Sequence, residues 1–203
     1  TNLVQTYCTL MKGIPMKKCI IALTAAVLGF SAHAQVKVAD VVYPAQMSVA
    51  GQTLQLNGAG LREIFIVDVY AAGLYTPTKA QTLEDILKQS APQRVRLVLL
   101  RDVDANDFVD ALNDGLKDNS SEAERAAITD EITSLIAVMR LIGDVKKGDT
   151  VDFDFTESMA TSVSLNDQLI GEKIGGKDLY EAVLKIWLGP KAIDSGLKKA
   201  LLK

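Results

Sequence analysis

The first half of the chain carries the short apolar alternation that is typical of β-strands. Met47–Val49 and Thr53–Leu56 flank Ala50-Gly51-Gln52, and this pattern predicts a hairpin. Asn57–Gly60 follows as a flexible turn or a bulge, because two of its four residues are glycines. Ile64–Tyr70 is dense in β-branched and aromatic residues and predicts the next strand.

Four more strands are predicted further along the chain. Arg94–Arg101 alternates apolar with basic residues, and Thr150–Thr156 alternates apolar with acidic residues. Thr161–Leu165 and Gln168–Ile174 flank Asn166-Asp167, a residue pair that is typical of a two-residue hairpin turn. Each of these strands is expected to turn one apolar face towards the core.

Apolar residues at helical spacing predict helices between and after these strands. The predicted helices are Thr82–Gln89, a helix capped by Asp104, a helix from the Ser121–Glu124 capping box to Gly143, Lys177–Leu188 and Asp194–Leu202. Strands, helices, strands and helices follow one another, with hairpin turns between strands. This order predicts an α+β domain in which an antiparallel sheet carries helices on one face.

The N-terminal segment has the order of features found in a secretory signal. Met16 is followed by two lysines, by an apolar run at Cys19–Phe30, and by small residues at Ala32 and Ala34. The apolar run is shorter than the roughly 18 residues that a membrane-spanning helix needs. We therefore expect cleavage between Ala34 and Gln35, and no membrane span in the processed protein.

This interpretation divides the chain into three parts. Residues 1–15 are expected to be an upstream extension, residues 16–34 the signal peptide, and residues 35–203 one exported domain, periplasmic or secreted. Translation begins at Met16 or at the earlier Met11.

Composition excludes several kinds of site from residues 35–203. That part of the chain has no cysteine and no histidine, because Cys8, Cys19 and His33 all precede it. Disulfides, Cys/His zinc or copper sites, haem ligation and Cys-His or Ser-His-Asp nucleophilic sites are therefore excluded there. We expect no metal and no cofactor.

The charge balance bears on the partners. Acidic residues outnumber lysine and arginine by 25 to 22 over the whole chain, and the first 34 residues contribute lysines but no acid. An acidic domain without a basic stripe argues against nucleic acid as a partner.

Two neighbouring runs resemble the chalcone isomerase family. They are Asn57-Gly58-Ala59-Gly60-Leu61-Arg62 and Val69-Tyr70-Ala71-Ala72-Gly73-Leu74-Tyr75, with support from Arg96–Val103 and Glu181–Leu202. Within the family the chain is most similar to the bacterial exported branch and to the related plant fatty-acid-binding proteins. The resemblance covers about residues 45–203. It implies an open-faced β-sandwich, in which a long antiparallel sheet packs against a helical layer with a ligand cleft between them.

The resemblance implies a catalytic set that this chain mostly lacks. Arg62 matches the arginine of true chalcone isomerases, but Tyr70 stands where they use threonine and Phe108 where they use tyrosine. Their asparagine falls on Gly115 in an ungapped comparison, although Asn113 is near, and their late threonine or serine falls on Ile186. Because Phe108 has no hydroxyl, cyclisation of chalcones is not expected, and no catalytic residue is assigned.

The fatty-acid-binding relatives hold a carboxylate with an arginine and a tyrosine, and Arg62 with Tyr70 fits that pattern. A guanidinium grips a carboxylate with a planar fork, and a phenol adds a third donor. An apolar cleft would then hold the tail. Its expected lining is Ile64, Ile66, Phe108, Ile186 and Trp187.

Simpler interpretations remain open at this point. Arg62 could be an exposed arginine, or could pair with Glu63 or Asp68. Phe108 and Trp187 could be ordinary core residues at helical spacing.

Arg62 and Tyr70 can bind one carboxylate together only if they lie close to each other. If residues 62–70 form one straight strand, Arg62 and Tyr70 lie about 26 Å apart, at roughly 3.3 Å per residue. Joint binding then requires a turn between them, but Glu63–Val69 contains no strong turn residue. Without that turn, Tyr70 is an ordinary strand tyrosine.

Three functions follow as hypotheses. The first is an exported, non-catalytic protein that binds a fatty acid or a similar apolar carboxylate. The second is an isomerase or intramolecular lyase that acts on a small planar substrate, with Arg62 stabilising an oxyanion. The third is an interaction module that keeps only the fold. The first hypothesis is the prediction of the sequence.

Overall fold

The computed structural model describes residues 35–156 and 158–203, so the predicted extension at 1–15 and signal peptide at 16–34 lie outside the described residues. The strands of the described ranges are β1 Val36–Val38, β2 Val41–Tyr43, β3 Gln46–Val49, β4 Gln52–Ile64, β5 Val67–Thr76, β6 Gln93–Leu99, β7 Thr150–Phe155, β8 Ala160–Leu165 and β9 Gln168–Gly175. The helices are α1 Leu83–Leu87, α2 Ala105–Asn119, α3 Glu122–Ala127, α4 Thr129–Ile142, α5 Lys177–Leu188 and α6 Ser195–Leu201.

Strands β3 to β9 form one antiparallel sheet in chain order, and β1 pairs with β2 in a separate ribbon. From β3 to α6 the predicted order of strands and helices is correct apart from the division of one helix, and the α+β class with an antiparallel sheet and a helical layer is confirmed. Among the described residues, no helix is both long and apolar enough to cross a bilayer.

The two faces of the sheet have different chemistry. On β6, Val95, Leu97 and Leu99 are buried in the same apolar core as helices α2, α4 and α5. Arg94 and Arg96 alternate with them and point to the opposite face, where the β1–β2 ribbon contributes to a smaller core. The alternation predicted for this strand is confirmed, and the helical layer lies on its apolar face.

Two predictions for the local structure need correction. The helix predicted from Ser121 to Gly143 is divided into α3 and α4, because the backbone of Ile128 leaves the helical region at φ −125° and ψ 29°. The side chain of Thr129 accompanies this break by donating to the carbonyls of Arg125 and Ala126. The β1–β2 ribbon was not predicted, because three-residue strands give almost no alternation to detect.

Residues 57–60 form part of strand β4 and not a turn. The pairing register with β5 shifts between Leu56 and Gly58, so Asn57 is the bulged residue. Its buried side chain donates to the carbonyls of Ala80 and Leu201, which ties β4 to the end of α6. The turn interpretation is therefore wrong, and the bulge interpretation is correct.

The glycines of this segment let helix α6 approach the sheet. A Cβ on Gly58 would lie 2.2 Å from the backbone oxygen of Ala200, and a Cβ on Gly60 would lie 2.6 Å from the Cβ of Ala200. The two glycines therefore determine how closely α6, and the residue that caps it, can lie against β4.

We expect Gly58→Ala to lower the free energy of unfolding by about 2 kcal/mol, because the added methyl group meets backbone that can yield only by moving α6. Urea denaturation measures this difference. Gly175→Ala is the matched control, because nothing lies within 4 Å of its Cβ. Equal effects of the two substitutions would contradict the close-approach explanation.

Candidate functional site

Arg62 and Tyr70 lie directly opposite each other on neighbouring strands. The chain turns between them, so that Ile64 pairs with Val67 and Arg62 pairs with Tyr70 in the β4–β5 hairpin. Opposed residues on one face of an antiparallel pair have Cβ atoms about 5 Å apart. The straight-strand separation of about 26 Å is therefore wrong.

The turn was missed because its residues are unusual. Phe65 and Ile66 form the two-residue loop, and Phe65 has φ +58°. That left-handed conformation usually belongs to glycine or asparagine, and a bulky aromatic side chain adopts it rarely. No turn signal in the sequence could have indicated this position.

A cavity of about 190 Å³ lies between the sheet and the helical layer. Strands β4 to β7, helices α2 and α5, and the segments that follow β6 and α5 supply its walls. Aliphatic and aromatic side chains form most of these walls, with charged side chains at the edge. The lining residues are Arg62, Ile64, Val69, Tyr70, Leu97, Leu99, Arg101, Asp102, Val103, Asp107, Phe108, Ala111, Leu112, Phe153, Ile186, Trp187 and Ile193.

Six of the seven predicted site residues line this one cavity, namely Arg62, Ile64, Tyr70, Phe108, Ile186 and Trp187. Ile186 and Trp187 are buried on α5, and half-buried Phe108 projects from the first turns of α2. The predicted role of Ile66 is wrong, because its side chain is 93% exposed at the tip of the hairpin.

Tyr70 lines the cavity, and no residue that the structure describes accepts the proton of its phenol. Its hydroxyl oxygen accepts a hydrogen bond of 2.9 Å from Nε1 of Trp187. Burial raises the pKa of Tyr70 to about 12, although the bond from Trp187 and the charge of Arg62 oppose that rise. The phenol is therefore neutral at ordinary pH. Because Trp187 occupies its acceptor side, Tyr70 is oriented to donate.

Arg62 contacts Asp194, the residue that caps helix α6. Its Nη1 lies 3.4 Å from Oδ2 of Asp194, and the same nitrogen donates to the backbone carbonyl of Glu63. A distance of 3.4 Å is longer than a strong charge-assisted hydrogen bond, which is about 2.7–2.9 Å. The pairing with the Glu63 or Asp68 side chain considered from the sequence is not observed, since the carboxylate partner is Asp194.

The two carboxylate oxygens of Asp194 have different roles, since Oδ2 faces Arg62 and Oδ1 caps a helix. Oδ1 caps helix α6 by accepting from the backbone N–H groups of Gly196 and Leu197 at 2.8 and 2.9 Å. Partial burial acts to raise the pKa of Asp194, but these N–H donors and Arg62 outweigh it, and the pKa lies below its ordinary value. The carboxylate is therefore ionised, and its charge offsets that of Arg62.

Sequence reasoning missed four charged residues at this site. Arg101, Asp102 and Asp107 line the cavity, and Asp194 faces Arg62. Asp194 had a helix-cap signal, but nothing in the sequence indicated that α6 would lie across β4. Arg101 follows the last residue of an apolar strand, a place where a functional side chain is common and could have been suspected.

The arrangement suits the binding of an anion with an apolar tail. Arg62 and Tyr70, which lie opposite each other on β4 and β5, both line a cavity whose walls are mostly apolar. Within the described residues, no group of three or more acidic side chains lies close enough together to hold a metal ion. Asp104 is the N-cap of α2, as the sequence predicted, and its side chain accepts from the backbone N–H of Asn106.

Comparison with known proteins agrees with this architecture. Residues 35–203 match the model of a family described as chalcone isomerase-like. No functionally curated protein is similar enough in sequence to count as a relative. The fold is similar to the crystal structure of the Arabidopsis thaliana fatty-acid binding protein AtFAP1, with a TM-score of 0.60 and 15% sequence identity. The likeness covers 80% of this chain and 92% of that one, and at this identity it shows the fold.

Proposed function

The chain belongs to the chalcone isomerase-like family, and from that premise we propose that its cavity binds a fatty acid or a similar apolar carboxylate without catalysing a reaction. AtFAP1, whose fold is similar, is a fatty-acid binding protein. The observation that carries the proposal is the pairing of Arg62 with Tyr70 across the β4–β5 hairpin, where both residues line a mostly apolar cavity.

The head group would contact both donors. The Arg62 side chain is about five-sixths buried, with 17% exposed. Within the described part of the chain its guanidinium is bound through Nη1 alone, to Asp194 and to the Glu63 carbonyl. The guanidinium therefore has further N–H groups to offer a carboxylate, and Tyr70 adds its phenol proton. The tail would then lie against Phe108, Ile186 and the adjoining apolar walls.

The size of the cavity favours a short or medium chain. Its volume of about 190 Å³ is smaller than the roughly 300–1,000 Å³ of typical small-molecule sites. Decanoate is therefore the first probe, and a series from octanoate to palmitate would give the preferred length.

The place of action is part of the proposal. The signal-like order of residues 16–34 supports export, after which the domain from Gln35 would act in the periplasm or outside the cell. N-terminal sequencing of the protein from an expressing bacterium tests this, with Gln35 as the expected first residue. A first residue before Cys19 would contradict export by cleavage.

Native mass spectrometry of the purified protein, followed by solvent extraction, tests the proposed binding. We expect a stoichiometric apolar carboxylate that is lost in Arg62→Met. A protein that carries nothing and that does not take up added decanoate or dodecanoate would contradict the proposal.

Asp194→Asn should strengthen decanoate binding by about 3- to 10-fold. The substitution removes a negative charge beside the head group, and a carboxylate that water still reaches contributes about 1 kcal/mol of repulsion. The asparagine oxygen can still cap α6, so the fold is retained. Isothermal titration calorimetry measures the change.

Glu63→Gln is the matched control for Asp194→Asn, because Glu63 is an exposed acid on the same strand as Arg62. We expect less than a twofold effect from it. Weaker binding by Asp194→Asn would show that Asp194 supports the head group instead of competing with it.

A further inference from the structure

The tip of the β4–β5 hairpin is an exposed apolar patch. Phe65 and Ile66 are 97% and 93% exposed, and Ile64 and Val67 beside them are 46% and 43% exposed. Other exposed large apolar side chains in the described ranges occur singly along the chain. We call residues 64–67 the hairpin tip.

The hairpin tip is also unfavourable for folding. Phe65 adopts φ +58°, a conformation that disfavours a bulky side chain and that glycine or asparagine would adopt more easily. The phenyl ring gains no burial in return, since it is almost fully exposed. Local rules broken in this way are a feature of functional positions.

The patch is too small for a stable protein interface on its own. A standard interface buries about 800 Å² on each partner, whereas the largest apolar patch of a monomer is a few hundred Å². Four side chains on a projecting two-residue turn suit insertion into a soft phase better than packing against a second protein. The strength of interfacial membrane binding scales with the apolar area that leaves water, so such a tip suits a reversible contact.

The hairpin tip is continuous with the candidate cavity. Ile64 belongs both to the tip and to the cavity lining, and Arg62 and Val69 on the two strands also line the cavity. An apolar ligand that leaves the cavity on this side would therefore pass directly to whatever phase surrounds the tip.

We propose that the hairpin tip inserts into the surface of a lipid bilayer and holds the cavity edge against it, so that an apolar carboxylate can pass between membrane and cavity. The docking rests on the tip alone, and the transfer rests on the proposed function. Insertion of this kind is interfacial and does not span the bilayer.

The charges beside the tip specify the type of surface. Glu63 and Asp68 are exposed and lie opposite each other at its base. Two carboxylates there would be repelled by anionic head groups, so docking should be driven by apolar burial and should proceed on zwitterionic lipid. Phosphatidylcholine vesicles are therefore the probe.

The location of the contact is tested with the full chain and vesicles of brominated phosphatidylcholine. In Phe65→Trp we expect a blue-shifted emission that the bromines quench, while buried Trp187 is not quenched. Leu141→Trp is the matched control, because Leu141 on α4 is 70% exposed but far from the tip in sequence. Unquenched emission from Phe65→Trp, or equal quenching in Leu141→Trp, would overturn the proposal.

Phe65→Asn tests the contribution of the tip to binding. Asparagine tolerates the left-handed conformation, so the melting temperature should be kept or raised. Vesicle partitioning should fall about 10- to 100-fold, since one phenyl group no longer leaves water. The apolar run at 19–30 is present in every variant, so only the difference between variants is interpreted. Unchanged partitioning would overturn the proposal.

Two further outcomes separate this proposal from its alternatives. Binding that increases with added phosphatidylglycerol and is reversed by salt would replace tip insertion by a charged surface. If the protein is a dimer and Phe65→Asn dissociates it, the hairpin tip contacts a second copy of the chain. Either result would overturn membrane docking.

The failure of the docking proposal can be told apart from that of the proposed function. Phe65 does not line the cavity, so Phe65→Asn should bind decanoate in solution with unchanged affinity. Decanoate binding without vesicle docking overturns only the present inference. Vesicle docking without decanoate binding confirms that the hairpin tip inserts into the bilayer. It overturns the transfer step together with the proposed function.

Discussion

Replacing Arg62 by methionine is expected to weaken decanoate binding by about 100-fold, the effect of truncating one partner of a hydrogen-bonded charge pair. The variant loses the donors that face the head group. It also leaves Asp194, whose carboxylate is only 20% exposed, without its cation and close to the incoming carboxylate. Both effects act in the same direction. Isothermal titration calorimetry at constant salt measures the affinity.

The double variant Arg62→Met/Asp194→Asn separates these two effects. If lost donors cause most of the loss, the double variant binds decanoate about as weakly as Arg62→Met. Arg101→Met is the matched control, because Arg101 is exposed at the cavity edge and its charge is screened by water. We expect less than a threefold effect from it. A larger loss of affinity in Arg101→Met than in Arg62→Met would show that the head group binds at the cavity edge, beside Arg101.

The second large effect is expected in a charged network on the opposite face of the sheet. Arg96 grips Asp152 with two bonds of 2.8 and 2.6 Å, and Arg94 grips Asp154 in the same way with two bonds of 2.6 Å. Arg94 also lies 3.1 Å from Asp152, which is only 1% exposed. Each arginine lies opposite its acid in the β6–β7 register, so the network joins the two strands.

Asp152→Ala should lower the free energy of unfolding by about 3 kcal/mol, because it removes the buried carboxylate shared by Arg94 and Arg96 and leaves Arg96 with only the exposed Asp167. Chemical denaturation measures this value. Asp167→Ala is the control, since Asp167 bonds the same Arg96 but its side chain is 77% exposed. We expect less than 1 kcal/mol from an exposed pair. A loss below 1 kcal/mol in Asp152→Ala would show that water compensates the broken pair.

Much of the fold could be predicted because its local signals agree with its packing. The Lys177–Leu188 helix has the predicted bounds, and the Asn166-Asp167 turn joins β8 to β9 as expected. Both residues of that turn have positive φ, the property for which asparagine and aspartate are favoured there. In these two elements the local preference of the residues agrees with the conformation that the tertiary structure requires, so the sequence pattern predicts the structure.

The candidate site was harder to predict, because its geometry depends on two features without a local signal. One is the turn at Phe65, which contradicts the usual preferences for residues with positive φ. The other is the packing of α6 over the glycines of β4, which brings Asp194 to Arg62 from 132 residues away. The resemblance identified Arg62 and Tyr70 as a pair, but only the tertiary structure explains how they meet.

The most direct test of carboxylate binding is a fluorescence titration of Trp187. It is the single tryptophan of the chain, it lines the cavity, and its Nε1 donates to Tyr70. We predict a saturable one-to-one change in emission with decanoate, and binding at least tenfold weaker for decan-1-ol, which lacks the charge that Arg62 recognises. No saturable change from octanoate to palmitate, or equal affinities for the acid and the alcohol, would contradict the proposed function.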